Sequence, residues 1–218
     1  MILIEETEVN GFKAAIRGMR NPMNSWDKSD SRYSCLCMDD KRDCPAEPYI
    51  VGPNDLALMK KLSKAGTDHA KFLRFITVTA DITAPMFWWF EYDTYKIGTV
   101  KNSCSKIHRI HVKPFNYDDF SHEGIDECGD FVKDVFKVII EQCEVLRKKF
   151  NATQEKKYWR ALIEMLPESY NMRATVFTNY QVLKTIYHAR KNHKLDEWHN
   201  FCRWCETLPY FKEVCLEE

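Results

Sequence analysis

Apolar positions along the chain alternate between two spacings, and the places where the spacing changes divide it into elements. Met1-Ile2-Leu3-Ile4 is an apolar run cut off by Glu5-Glu6 and reads as a first strand. After Asn10-Gly11, residues 12–18 take up helical spacing. Residues 21–52 have no sustained period and read as a long loop or insertion, a kind of segment that often carries function. Asn54-Asp55 reads as the cap of a helix running to Ala65, with Leu58 and Leu62 on one face and Gly66 as its stop. Residues 73–82 are rich in β-branched side chains and predict a strand.

Proline fits the first turn of a helix, so Thr83-Ala84-Pro85 opens the next one. Its spacing puts Met86, Trp89, Phe90 and Asp93 on one side and Glu91 and Thr94 on another, until Gly98 breaks the run. A small hydroxyl-rich loop, residues 99–105, then ends in Lys106. Residues 126–150 predict one long amphipathic helix with Phe131, Val135, Val138, Ile139 and Leu146 on its buried face. A further helix begins near Thr153 and stops at Leu166-Pro167, and residues 173–178 are a second strand. Asn179 caps a helix over residues 180–191, and residues 197–208 are helical. With no repeat or linker in 218 residues, this is one α+β domain, residues 1–218, with 21–52 as its long loop.

Composition narrows the function. Apolar residues make up 44% and charged ones 29%, which describes a globular chain. Lys+Arg and Asp+Glu stand at 32 each, so no basic excess suggests a DNA- or RNA-binding surface. No apolar run is long enough for a membrane span and no signal peptide is visible, so a cytoplasmic protein is expected. Lys13, Arg17 and Arg20 form either an anion site or, as the default, a solvated face. The nine cysteines include a cluster, Cys35, Cys37 and Cys44, and the pair Cys202 and Cys205. Together they could hold zinc, but the spacing is irregular and the pair falls within a helix, so reduced thiols are expected and no metal. His108 and His111 lack a ligand partner at helical or hairpin spacing and read as ordinary surface or core histidines.

The most suggestive chemistry is the stretch from Ala84 to His108. A helix that delivers aromatics and a carboxylate into a donor-rich loop with a cation suits an anion with a planar group, such as a nucleotide. The alternative is a buried aromatic helix followed by a plain surface loop.

This stretch resembles the signature region of flavin-dependent thymidylate synthases, in which an Ala-Pro helix leads into Arg-His-Arg and then a loop with serine and arginine. Here Thr94-Tyr95-Lys96 stands at Arg-His-Arg, Cys104 at the serine and Lys106 at the loop arginine. Further matches are Leu166-Pro167 ahead of Arg173, and Asn179-Tyr180-Gln181-Val182-Leu183 ahead of Ala189-Arg190. The resemblance implies an antiparallel-type sheet with packed helices, a homotetramer or other homo-oligomer, and a deoxyuridylate phosphate held by Arg173, Arg190 and the loop. The departures fall on the flavin side. Arg74-Phe75 replaces a Glu-His pair, Glu91 a glutamine and Asn102 the loop glutamate, and Lys194 stands where a histidine is expected, with His193 one place off. Flavin binding needs preplaced donors, so losing several together costs several kcal/mol.

The expected nucleotide site is Arg173, Arg190, Lys106, Asn102, Ser103, Cys104, Ser105, Glu91, Trp88, Trp89, Lys96 and Asn179. Trp88 and Trp89 either stack on a base or fill the core. Three functions follow. The first is a nucleotide binder without flavin or other cofactor, for example a phage protein acting as a sponge for a host immune signalling nucleotide. The second is a divergent FAD-dependent synthase methylating dUMP or a related pyrimidine nucleotide, with Cys104 as nucleophile. The third is an interaction protein whose pocket has closed.

Overall fold

The computed structural model describes residues 1–34 and 49–217. In chain order the elements are strand β1 (Leu3–Asn10), helix α1 (Phe12–Arg20), the short strands β2 (Arg32–Tyr33) and β3 (Tyr49–Ile50), helix α2 (Pro53–Lys64), strand β4 (Thr77–Pro85) and helix α3 (Met86–Tyr92). Strand β5 (Val100–Ser103) and helices α4 (Lys106–Arg109), α5 (Glu123–Glu127), α6 (Asp130–Thr153) and α7 (Lys156–Met165) follow. Strand β6 (Asn171–Asn179) and helices α8 (Tyr180–Arg190) and α9 (Asp196–Thr207) come next, and a π-helical turn covers Lys212–Leu216.

Four strands form an antiparallel sheet in the order β1-β4-β6-β5. β4 and β6 run side by side from Thr77↔Asn179 to Pro85↔Asn171. Period-two alternation gives that pair two unlike faces. Val78, Ala80, Ile82, Ala174 and Val176 are buried on one face under α1, α2, α3, α8 and α9. The other face carries Asp81, Thr83, Arg173 and Thr175 and is open. A second core lies where Phe136 and Ile140 of α6 meet Leu162 of α7 and Met86. No helix among the described residues is long and apolar enough to cross a membrane.

The α+β class, the antiparallel sheet and the cap of α8 agree with expectation, since the Asn179 side chain accepts the Val182 N–H at 3.1 Å. Several elements differ. Residues 70–75 form a 3-10 turn, so β4 starts at Thr77 and not at 73. Four residues of the expected 99–105 loop are strand β5, which pairs from Val100↔Phe177 to Ser103↔Ala174. α2 begins at Pro53, and Asp55 is not its cap. Asp30, from far upstream, accepts the N–H groups of Asn54 and Asp55 at 2.8 and 3.0 Å. Gly129, at φ 94°, separates α5 from α6.

α6 has also turned relative to expectation. Phe136, Ile140, Cys143 and Arg147 face inward, while Phe131, Val135 and Val138 are 82%, 47% and 52% exposed. In α3, Trp88 and Tyr92 are buried and Phe90 is exposed. Arg20 lines no anion site; it is buried against Asp55. Cys202 and Cys205 are buried thiols in α9, and burial pushes the Cys202 thiol up to about 11. No metal-holding group occurs among the described residues, and Cys35, Cys37 and Cys44 lie outside them.

Candidate functional site

Antiparallel pairing places Arg173 on the open face of the sheet, opposite Thr83 of β4. β5 runs along the other edge of β6, and just beyond it the Cys104 N–H donates to the Arg173 carbonyl at 2.9 Å. The chain then turns into α4, where the Ser105 hydroxyl oxygen accepts the His108 N–H at 3.3 Å. This turn closes one side of a cavity of about 660 Å³ lined by Arg173, Cys104, Ser105 and Lys106, with Tyr170 and Phe115 as aromatic walls. A volume of that size is ordinary for a small-molecule site.

Arg173 is about half exposed and already engaged. Its guanidinium donates to Asp81 at 2.8 Å and to Glu5 at 3.1 Å, and Thr175 donates to the other oxygen of Asp81 at 2.5 Å. The hydrogen bonds from Arg173 and Thr175 hold the Asp81 carboxyl below its usual range. Lys106 Nζ rests 3.3 Å from the Met86 sulfur, a weak acceptor, and keeps its charge available.

Arg190 lies elsewhere. At the end of α8, over the covered face of the sheet, it donates to Glu91 at 2.6 Å and to the Tyr95 hydroxyl at 2.9 Å. Its guanidinium lies 4.9 Å from the Trp198 ring centroid. Glu91 also accepts the Trp198 indole N–H at 3.0 Å and lies 3.3 Å from His193 Nε2. Glu91, Arg190, Trp198 and Tyr95 therefore tie α3, α8 and α9 together. Within one chain the two arginines stand on opposite sides of the sheet and do not converge on one phosphate.

The remaining expected residues divide as follows. Trp88 is fully buried against Tyr92, Trp198 and Phe201, and Trp89 donates to the Met172 carbonyl at 2.9 Å under the ammonium of Lys101. Core filling, not a base platform, describes both. Asn102 and Ser103 are exposed on β5, Asn179 is occupied as the α8 cap, and Lys96 is an exposed side chain in the turn after α3. Sequence reasoning missed Arg109, Lys113, Asn116 and Tyr170, all of which line the cavity. The signal lies in the stretch Lys106-Ile-His-Arg109-Ile-His-Val-Lys113, whose three cations are interleaved with the two histidines.

The chain has the fold of the flavin-dependent thymidylate synthases over its whole length. Thymidylate synthase X from Helicobacter pylori, solved with FAD and dUMP, matches at 14% identity with a TM-score of 0.69, covering 99% of this chain and 98% of that one. A second structure of that enzyme, also complexed with FAD and dUMP, matches at 16% identity and TM-score 0.68, covering 98% and 99%. The UMP/dUMP methylase PolB from Streptomyces cacaoi, bound with 5-Br dUMP, matches at 14% and 0.58, covering 95% and 89%. At these identities the shared property is the fold. No protein-family model and no curated protein matches the sequence.

Proposed function

We propose that this chain is a nucleotide-binding protein that holds the ligand's phosphate in the cavity between Arg173 and Lys106, without flavin chemistry. The observation that carries the reading is the convergence of Arg173, Lys106, Cys104 and Ser105 on one cavity, in a fold whose solved examples include dUMP complexes. A guanidinium gives a phosphate bidentate contacts and an ammonium adds a point charge.

The residues at the flavin-signature positions argue against that cofactor. The Thr94 hydroxyl donates to the Glu91 carbonyl at 2.7 Å, and the Tyr95 hydroxyl accepts from Arg190. Of the three residues at the Arg-His-Arg positions, Lys96 is the one cation. Sequestration or sensing of a nucleotide in the cytoplasm is the role such a protein would have, a phage sponge for a host signalling nucleotide being one form of it. The enzyme reading rests on Cys104, whose exposed thiol lines the cavity.

The protein works as a homo-oligomer through α6. Phe131, Val135, Val138 and Val145 are exposed at the 4-3-7 spacing of a helix-pairing seam.

The test is a thermal-shift and calorimetric titration with dUMP, other nucleotides and FAD. A ligand at about a hundred times its Kd adds ~2.7 kcal/mol of stability. Nucleotide stabilisation that is lost in Arg173→Ala and Lys106→Ala is expected. Unchanged binding in both variants overturns the site. A yellow protein that takes up FAD restores the enzyme.

A further inference from the structure

The cavity holds two cations that the nucleotide reading above does not use. Lys106, Arg109, Lys113 and Arg173 all line it, against a single carboxylate, Asp119, whose Oδ2 already accepts the Asn116 N–H at 2.7 Å. This concentration stands out in a chain whose Lys+Arg and Asp+Glu counts are equal. Arg173 has its charge met by Asp81 and Glu5. Arg109 and Lys113 differ: among the described residues their side chains have no carboxylate partner and no side-chain hydrogen bond.

The arrangement has a local cause. The short helix α4 and the turn after it are pinned from behind. The Ile107 carbonyl accepts the Trp159 indole N–H at 3.0 Å, and the His111 carbonyl accepts from Arg147 at 3.2 Å and Asn151 at 3.0 Å. Ile110 and Phe115 are buried in the second core. These anchors fix the backbone on both sides of Arg109 and Lys113 and leave the two cations on the cavity wall, with no carboxylate partner among the described residues. Two long cationic side chains held at one opening repel each other unless an anion sits between them.

Resting on the nucleotide reading above, we propose that the ligand is a nucleotide with more than one phosphate. Arg173 and Lys106 hold the phosphate nearest the sugar, and Arg109 and Lys113 hold the phosphates beyond it. A monophosphate held by Arg173 and Lys106 leaves Arg109 and Lys113 without a phosphate of their own. A di- or triphosphate, or another nucleotide with a second phosphate group, supplies that contact. Tyr170 and Phe115 give the same cavity an apolar wall for the base or sugar.

The experiment is calorimetry of the full chain against dUMP, dUDP, dUTP and inorganic tripolyphosphate, with Arg109→Gln and Lys113→Gln alongside wild type. Affinity is expected to rise by about tenfold or more from dUMP to dUTP. Arg109→Gln and Lys113→Gln should erase that rise while leaving dUMP binding in place. Equal affinity for dUMP and dUTP overturns the inference but leaves the nucleotide reading standing. So does an equal loss for every ligand in the two variants. Tripolyphosphate binding as tightly as dUTP overturns the nucleotide part and makes the cavity a phosphate-chain site. A folded protein that binds none of the nucleotides overturns both readings. Both substituted residues are exposed, and circular dichroism of the variants confirms that folding is intact.

Discussion

Replacing Asp55 with alanine should be among the most damaging single changes outside the apolar core. Asp55 is fully buried, and Arg20 beside it is 5% exposed. Its Oδ1 accepts from Arg20 Nε at 2.7 Å and lies 2.6 Å from Nη2. Its Oδ2 takes the hydroxyls of Ser29 and Ser31 at 2.7 and 2.6 Å, and the N–H groups of Asp30 and Ser31 at 3.2 Å. One carboxylate thus fastens α1, α2 and the 29–31 turn. Removing it leaves a buried guanidinium without a counterion, which costs ~3–5 kcal/mol. Domains of this size have ~5–15 kcal/mol in all. Urea unfolding followed by tryptophan fluorescence measures the loss. The pH dependence gives a second check. Burial raises the Asp55 pKa, but the hydrogen bonds from Ser31, Ser29 and Arg20 outweigh it and hold the group below its usual 3.8. A depressed folded-state value means stability that is present above the unfolded value and lost as pH falls through the folded one. The gap between wild type and Asp55→Asn should therefore be full at neutral pH and close below 3.8. A loss under about 1 kcal/mol for Asp55→Ala at neutral pH would refute the reasoning, since it would mean that the Arg20 charge is not buried in solution.

Two further outcomes are expected. Val138→Glu should break the proposed oligomer into a smaller species in light scattering while helicity is kept, because glutamate is a better helix former than valine and the site is 52% exposed; an unchanged mass removes α6 as the interface. Cys104, exposed in the cavity, should react with a thiol reagent and be protected by bound nucleotide, whereas buried Cys143, Cys202, Cys205 and Cys215 should react only after unfolding; peptide mapping of labelled protein decides this, and labelling of Cys104 that nucleotide does not slow places the ligand elsewhere.

What could be read from the sequence depended on whether a side chain's partner was near it in the chain. The β4 and β6 strands were legible because β-branched residues alternate across a half-buried sheet, and the α8 cap because asparagine meets a backbone N–H three residues on. Asp55 reads as a cap in the sequence because the carboxylate that meets the first N–H groups of α2, Asp30, and the ion-pair partner, Arg20, come from another segment. Strand β5 left no apolar signature, since a four-residue edge strand is held mainly by backbone pairing to β6. The cavity was half legible. Lys106 and Arg173 stood out by resemblance, while the two arginines expected together were separated by the sheet that both flank.

α6 is the instructive failure. It carries two apolar stripes, one through Phe131, Val135 and Val138 and one through Phe136, Ile140 and Cys143. Periodicity alone cannot say which stripe faces the chain's own core. Arg147 decides it. Its guanidinium pairs with Glu144 at 2.6 Å and donates to the His111 carbonyl at 3.2 Å, locking that side of the helix against the turn that carries Lys113. That leaves the Phe131 stripe outward, where an apolar seam on a helix calls for a second helix. The same contact thus turns the Phe131 stripe of α6 outward and braces the cationic wall of the cavity with the other side. Arg147→Ala should therefore lower both the mass seen in light scattering and the dUMP affinity seen in calorimetry, while Val138→Glu should lower the mass alone; an Arg147→Ala variant with unchanged dUMP affinity would separate α6 from the cavity.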